Sequence, residues 1–143
     1  MPSRTAEMLR PFFGYVQACT DPSDRLFVPG FAPEVPYFAA RRFGGGHVTL
    51  FGGYYSSDRD QRRMVRRMLG QSVPLAIVPS DGRAALGSLT IVSDFVQSRY
   101  VTIADIPVEG YAEPVLVLIR RDLAGAPPHQ PTGWPCPSAR PLA

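Results

Sequence analysis

The chain has 143 residues, enough for one domain around a single core. Apolar residues make up 45% and charged residues 19%, the balance of an ordinary globular protein, and no stretch approaches the ~18–20 consecutive apolar residues of a membrane span. The net charge of +3 is too small to argue for a polyanionic partner, and the fifteen basic residues, all arginine, read as compositional bias.

Met8, Leu9, Phe12, Phe13, Val16 and Cys19 recur at helical spacing, so 5–19 is predicted to be a helix that kinks or starts at Pro11. Asp21-Pro22-Ser23-Asp24 reads as a turn. Arg25–Val28 then forms a short buried strand with a sharp exit at Pro29-Gly30-Phe31. A helix opens near Pro33 and runs to Arg42, stopped by Gly44-Gly45-Gly46. His47–Phe51 is β-branched and aromatic, hence a strand, and it ends in Gly52-Gly53-Tyr54-Tyr55. The helix over 58–69 is the clearest. Ser57 caps it with Asp60 three residues on, Met64, Val65, Met68 and Leu69 form its buried stripe, and Arg59, Arg62, Arg63, Arg66 and Arg67 point away. Val73–Val78 is a continuous apolar strand of the kind covered on both faces. Asp81-Gly82 turns the chain into a helix from Leu89 to Arg99.

Tyr100–Ile106 and Pro114–Arg121 read as two strands of a hairpin. Beyond Leu123 there are six prolines and almost no apolar periodicity. The expected organisation is therefore a single α/β domain over 1–122 and a Pro-rich disordered tail over 123–143. The alternating order predicts a three-layer α/β fold, a sheet of mainly parallel strands flanked by helices and ending in an antiparallel hairpin.

In an open parallel sheet ligands bind beyond the carboxyl ends of the strands. Those ends carry Gly30 and Phe31, Gly53, Tyr54 and Tyr55, and Pro79-Ser80-Asp81-Gly82, and the first five are the candidate ligand-binding residues for a sugar or phosphate group. Glycine that simply makes the turns is the competing reading, because neither GxGxxG nor GxxxxGK[ST] occurs. The Gly44–Gly46 run precedes a strand rather than opening a helix, the wrong context for a phosphate loop. No catalytic residue is assigned: His47 lacks a positioned carboxylate and nucleophile, Asp58 and Asp60 suit a helix N-terminus, and Asp105, Glu109 and Glu113 surround a hairpin tip. No set of residues has metal-ligand spacing, and no cofactor is implied. The arginine face of 59–67 suits either solvent or anionic headgroups, and without an aromatic platform it does not suit nucleic acid. Cys19 and Cys136 stand isolated; they could pair in an oxidising compartment, and the pairing stays open.

Several stretches together carry a family resemblance. They are Cys19–Val28, Gly30–Val35, Ala40–His47, Phe51–Ser57, Asp60-Gln61, Gln71–Pro74 and Val115–Asp122. Over about residues 8–122 the chain resembles the C-terminal extramembrane domain of GT-C-type integral membrane glycosyltransferases, the polyprenyl-phosphate-sugar-dependent enzymes related to protein mannosyltransferases and aminoarabinose transferases. The resemblance implies an accessory, non-catalytic domain that binds acceptor or sugar-phosphate headgroup, because the family's catalytic carboxylates lie in a membrane region with no counterpart here. Its implied partner is a membrane-embedded glycosyltransferase region or subunit, with this chain a separate subunit, a gene fragment or an independent domain. The implied location is the periplasmic face of the inner membrane. The sequence as written has no signal peptide, which points instead to the cytoplasm. The alternatives are a stand-alone soluble nucleotide- or sugar-phosphate-binding protein and a purely structural interaction module.

Overall fold

The computed structural model describes residues 7–31, 34–46, 49–50, 56–111 and 113–138. Helix α1 (Arg10–Cys19) carries Pro11 in its first turn, where the missing N–H costs no helical bond. Strand β1 (Arg25–Phe27) follows a turn in which the Ser23 amide donates to the Asp21 carboxylate at 2.9 Å. The chain continues through β2 (Gly30–Phe31), α2 (Glu34–Ala39), β3 (Arg42–Phe43), a 3-10 turn (Gly44–Gly46) and β4 (Thr49–Leu50). The second half contains α3 (Asp58–Gly70), β5 (Leu75–Val78), α4 (Ser80–Gly87), α5 (Thr90–Arg99), β6 (Tyr100–Ile106) and β7 (Val115–Arg120).

Five strands form one mixed sheet in the order β3-β1-β5-β7-β6. The β1–β3 and β1–β5 pairings are parallel, while β5–β7 and β6–β7 are antiparallel. Parallel and antiparallel pairings are thus equal in number, because β7 and not β6 pairs with β5, which leaves β6 at the edge. Alternation along the strands separates two apolar clusters. Leu26, Leu75, Ile77, Val117 and Ile119 pack with Phe12, Tyr15 and Val16 of α1 and with Val35 and Ala39 of α2. Phe27, Ala76, Val78 and Leu118 pack with Met64 and Met68 of α3 and Val92 and Val96 of α5. Every residue of β5 is buried, so its continuous apolar run is what two covered faces require.

Several expectations need correction. Of the segment expected as a main-sheet strand over 47–51, the described residues Thr49–Leu50 pair antiparallel with Phe31 and Gly30 in a separate two-stranded sheet. Gly30, at φ +86°, diverts the chain out of β1 so that the two can meet. The helix expected to reach Arg42 stops at Ala39, since Ala40 adopts φ +57° and Arg42–Phe43 pair with β1. Arg41 anchors that departure, its Nε donating to Thr20 Oγ1 at 2.9 Å. Asp81-Gly82 is no turn but the first turn of α4, so two helices stand where one was expected. Gly82 is required there, because a Cβ would lie 2.8 Å from the Pro29 carbonyl oxygen.

In α3 the capping pattern forms as read: Ser57 Oγ accepts from the Asp60 amide at 3.1 Å. Its stripe is shifted. Gln61 is buried with Met64 and Met68, whereas Leu69 is 54% exposed. The spacing i, i+3, i+7 defines the core row, and Leu69 falls to its flank.

Residues 124–138, part of the segment expected as a Pro-rich tail, make specific contacts with one another and with α1. A 3-10 turn (Arg121–Leu123) leads to a Pro128–Pro135 bridge, closed by His129 N–H to Trp134 O at 2.7 Å and Cys136 N–H to Pro127 O at 2.8 Å. A disulfide between Cys19 and Cys136 fastens this segment to the end of α1. The Tyr15 hydroxyl donates to Pro135 O, and its ring meets Trp134 edge-on at 5.1 Å.

Candidate functional site

Three places on this frame bring polar groups together. The first is where the sheet order reverses. The chain passes from β1 to β3 on one side and to β5 on the other, so the switch point lies between β1 and β5. Beyond β1 stands Gly30, and beyond β5 stands the first turn of α4 with Asp81. The two exits touch. A Cβ on Gly30 would lie 2.8 Å from Asp81 Oδ1, just as one on Gly82 would meet Pro29. The glycines therefore allow close packing of one exit against the other and place a carboxylate at the crevice. Phe31 is in β2, paired with Thr49. Gly53, Tyr54 and Tyr55 lie outside the described residues, as does His47.

The second place gave no signal in the sequence reading. A groove of about 730 Å³ runs between α4, α5 and the open side of the β6–β7 hairpin. Val78, Leu86, Val96, Leu116 and Leu118 supply its apolar floor, and Arg83 and Arg121 line it. Arg83 is held by Glu113 at 3.4 Å and by the Pro114 carbonyl at 3.3 Å, while Arg121 donates to Gln97 O at 2.9 Å. Tyr100 closes its end, the hydroxyl donating to Val73 O at 2.6 Å; burial pushes that phenol up to about 12. Its lining comes from β5, α4, α5, β6, β7 and the start of the turn after β7, which no local motif could have linked.

The third is a smaller cavity of about 240 Å³ at the opposite ends of the strands, lined by Asp21, Asp24, Ser72 and Arg120. Its polar groups are mutually engaged. Ser72 Oγ donates to Asp24, and Arg120 forms a two-point pair with Asp122 at 2.6 and 3.0 Å. That pairing raises the guanidinium and lowers the Asp122 carboxyl, and the Ser23 amide and hydroxyl lower Asp21. The site ties strand ends to the 3-10 turn.

Among the described residues no group of three His, Cys, Asp or Glu could hold a metal ion. His129 sits in the C-terminal segment, its Nδ1 2.9 Å from Thr132 Oγ1 and its ring 5.6 Å from that of Tyr15, contacts that brace the segment. Among the described residues no helix is long and apolar enough to cross a membrane. Comparison with protein families, with curated proteins and with solved structures yields no match.

Proposed function

We propose that this chain is a disulfide-stapled, non-catalytic domain on the outer face of a cytoplasmic membrane, the accessory part of a GT-C-type glycosyltransferase that uses polyprenyl-phosphate sugars. In this reading the two helix groups and the sheet make three layers, and the β1–β5 switch point with Gly30 and Asp81 receives acceptor or sugar-phosphate headgroup.

The observation that carries the reading is the Cys19–Cys136 disulfide. Cys19 is fully buried and Cys136 nearly so, and the segment between Leu123 and Cys136 is laid against α1 by the bond. Such a staple belongs to an oxidising compartment, since thiols in the cytoplasm are kept reduced. It favours the outer face over the cytoplasm.

Thiol trapping of the chain from its native cells, by maleimide labelling under denaturing conditions and intact-mass spectrometry, is expected to leave both cysteines unlabelled. Two labels per chain would overturn the outer-face reading. For the crevice, Gly30→Ala should weaken binding of a short-chain polyprenyl-phosphate sugar by about tenfold, or ~1.4 kcal/mol, in titration calorimetry. Unchanged affinity would move the ligand elsewhere.

A further inference from the structure

The net charge of this chain is concentrated on one helix. Residues 58–70 contain five arginines and two aspartates, a net of +3, while the other ten arginines are balanced by ten acidic residues. All of the formal charge of +3 is thus carried by α3. The helix folds that charge onto one side. At about 100° per residue, Arg59, Arg62, Arg63, Arg66 and Arg67 fall within an arc of about 140°, opposite the buried row of Gln61, Met64 and Met68. All five are exposed, and no described hydrogen bond or ion pair engages them. The two aspartates sit in the first turn, where Asp60 is taken up by Ser57, its Oδ2 2.8 Å from the serine hydroxyl. At the flank of the arc stands Leu69, 54% exposed.

We infer that this face of α3 is an electrostatic docking surface for an anionic phospholipid bilayer. Charge complementarity selects the partner. Five guanidinia with no partner among the described residues, over a length of about 12 Å, would present a row of cations to a plane of phosphates, each near-surface arginine strengthening attachment about fivefold. The apolar side of α3 is spent on the core, so the helix lies on the headgroups instead of inserting, with the exposed Leu69 able to reach the interfacial region. Nucleic acid is disfavoured because no aromatic ring interleaves the arginines. The inference rests on the proposed function only for its compartment; the surface charge stands without it.

The test is sedimentation of the oxidised full chain with vesicles of phosphatidylcholine alone or with added phosphatidylglycerol, at low and high salt. Binding is expected only with phosphatidylglycerol and should fall steeply with salt. The variant Arg59→Gln/Arg63→Gln/Arg66→Gln should lose about two orders of magnitude in affinity, from about fivefold per residue. The corresponding triple lysine variant should keep most of the binding, and Arg10→Gln on α1 should change nothing. Equal binding to both vesicle types, or salt-independent binding by the unaltered chain, would overturn the inference whether or not the glutamine variant folds. A single-stranded oligonucleotide that displaces the vesicles at equal charge concentration would overturn it too, reassigning the face to nucleic acid. Failure here leaves the thiol-trapping result intact, so the two readings fail separately.

Discussion

Gln61 does the work of two capping residues. Its Oε1 accepts from the Ile91 and Val92 amides at 2.9 and 3.3 Å, satisfying the start of α5, whose own N-cap Leu89 has no side-chain acceptor. Its Nε2 donates to Ser56 O at 2.8 Å. Gln61→Leu keeps the volume but leaves buried amides without acceptors, and should destabilise the chain by about 1–3 kcal/mol in urea unfolding. Two glycines should respond oppositely to alanine. Gly14 lies within α1 with nothing within 4 Å of a Cβ, so Gly14→Ala should stabilise by roughly 0.8–1 kcal/mol. Gly45 has φ +83° and a Cβ there would lie 2.7 Å from Met64 Cγ, so Gly45→Ala should cost about 1–3 kcal/mol. Opposite shifts in melting temperature are the readout. Tyr100 sets an alkaline limit. Its folded value near 12 lies above the ordinary 10.0, so the folded state keeps a proton that the unfolded chain gives up. That contribution is complete below about pH 10 and is lost as pH rises towards about 12, and burial of Tyr15 acts in the same direction. Tyr100→Phe should flatten the fall in unfolding midpoint across that window.

At the scale of elements, local signals and tertiary contacts divide the outcome. The place of Pro11 near the start of α1, the Ser57 cap of α3 and the β6–β7 hairpin were legible, because each depends on residues within one turn or one strand pair. The break between α4 and α5 was not. Asp81-Gly82 has turn composition, and only the contact of Gly82 with Pro29 reveals why glycine is needed in a helix. The buried row of α3 was half legible: Met64 and Met68 were read correctly, but Gln61 was passed over since its partners lie thirty residues away on α5. Of the candidate site, the glycine at the β1 exit was readable as a special backbone position. Its neighbour Asp81 became part of the crevice through the parallel pairing of β1 with β5.

For the whole molecule, the C-terminal segment changes the account most. Its prolines remove donors, but their carbonyls still accept: Pro127 O from Cys136 N–H and Pro135 O from the Tyr15 hydroxyl. Proline also limits the freedom of the unfolded chain, so a proline-rich segment can order with few apolar contacts. The disulfide closes a loop with a sequence separation of 117 residues. In the chain-entropy account a loop of that size contributes about 4–5 kcal/mol, so a Cys19→Ala/Cys136→Ala variant should lose several kcal/mol in denaturant unfolding. A loss below about 1 kcal/mol would mean that the segment holds to α1 without the bond.

Sequence alone determined the α/β character, most element positions and the arginine face, since periodicity, capping and composition act over a few residues. Tertiary structure decided the mixed pairing of the sheet, the contact of Gly30 with Asp81, the groove beside the hairpin and the union of Cys19 with Cys136. Each of these joins residues far apart along the chain, and their proximity is set by which strands pair and which faces are buried.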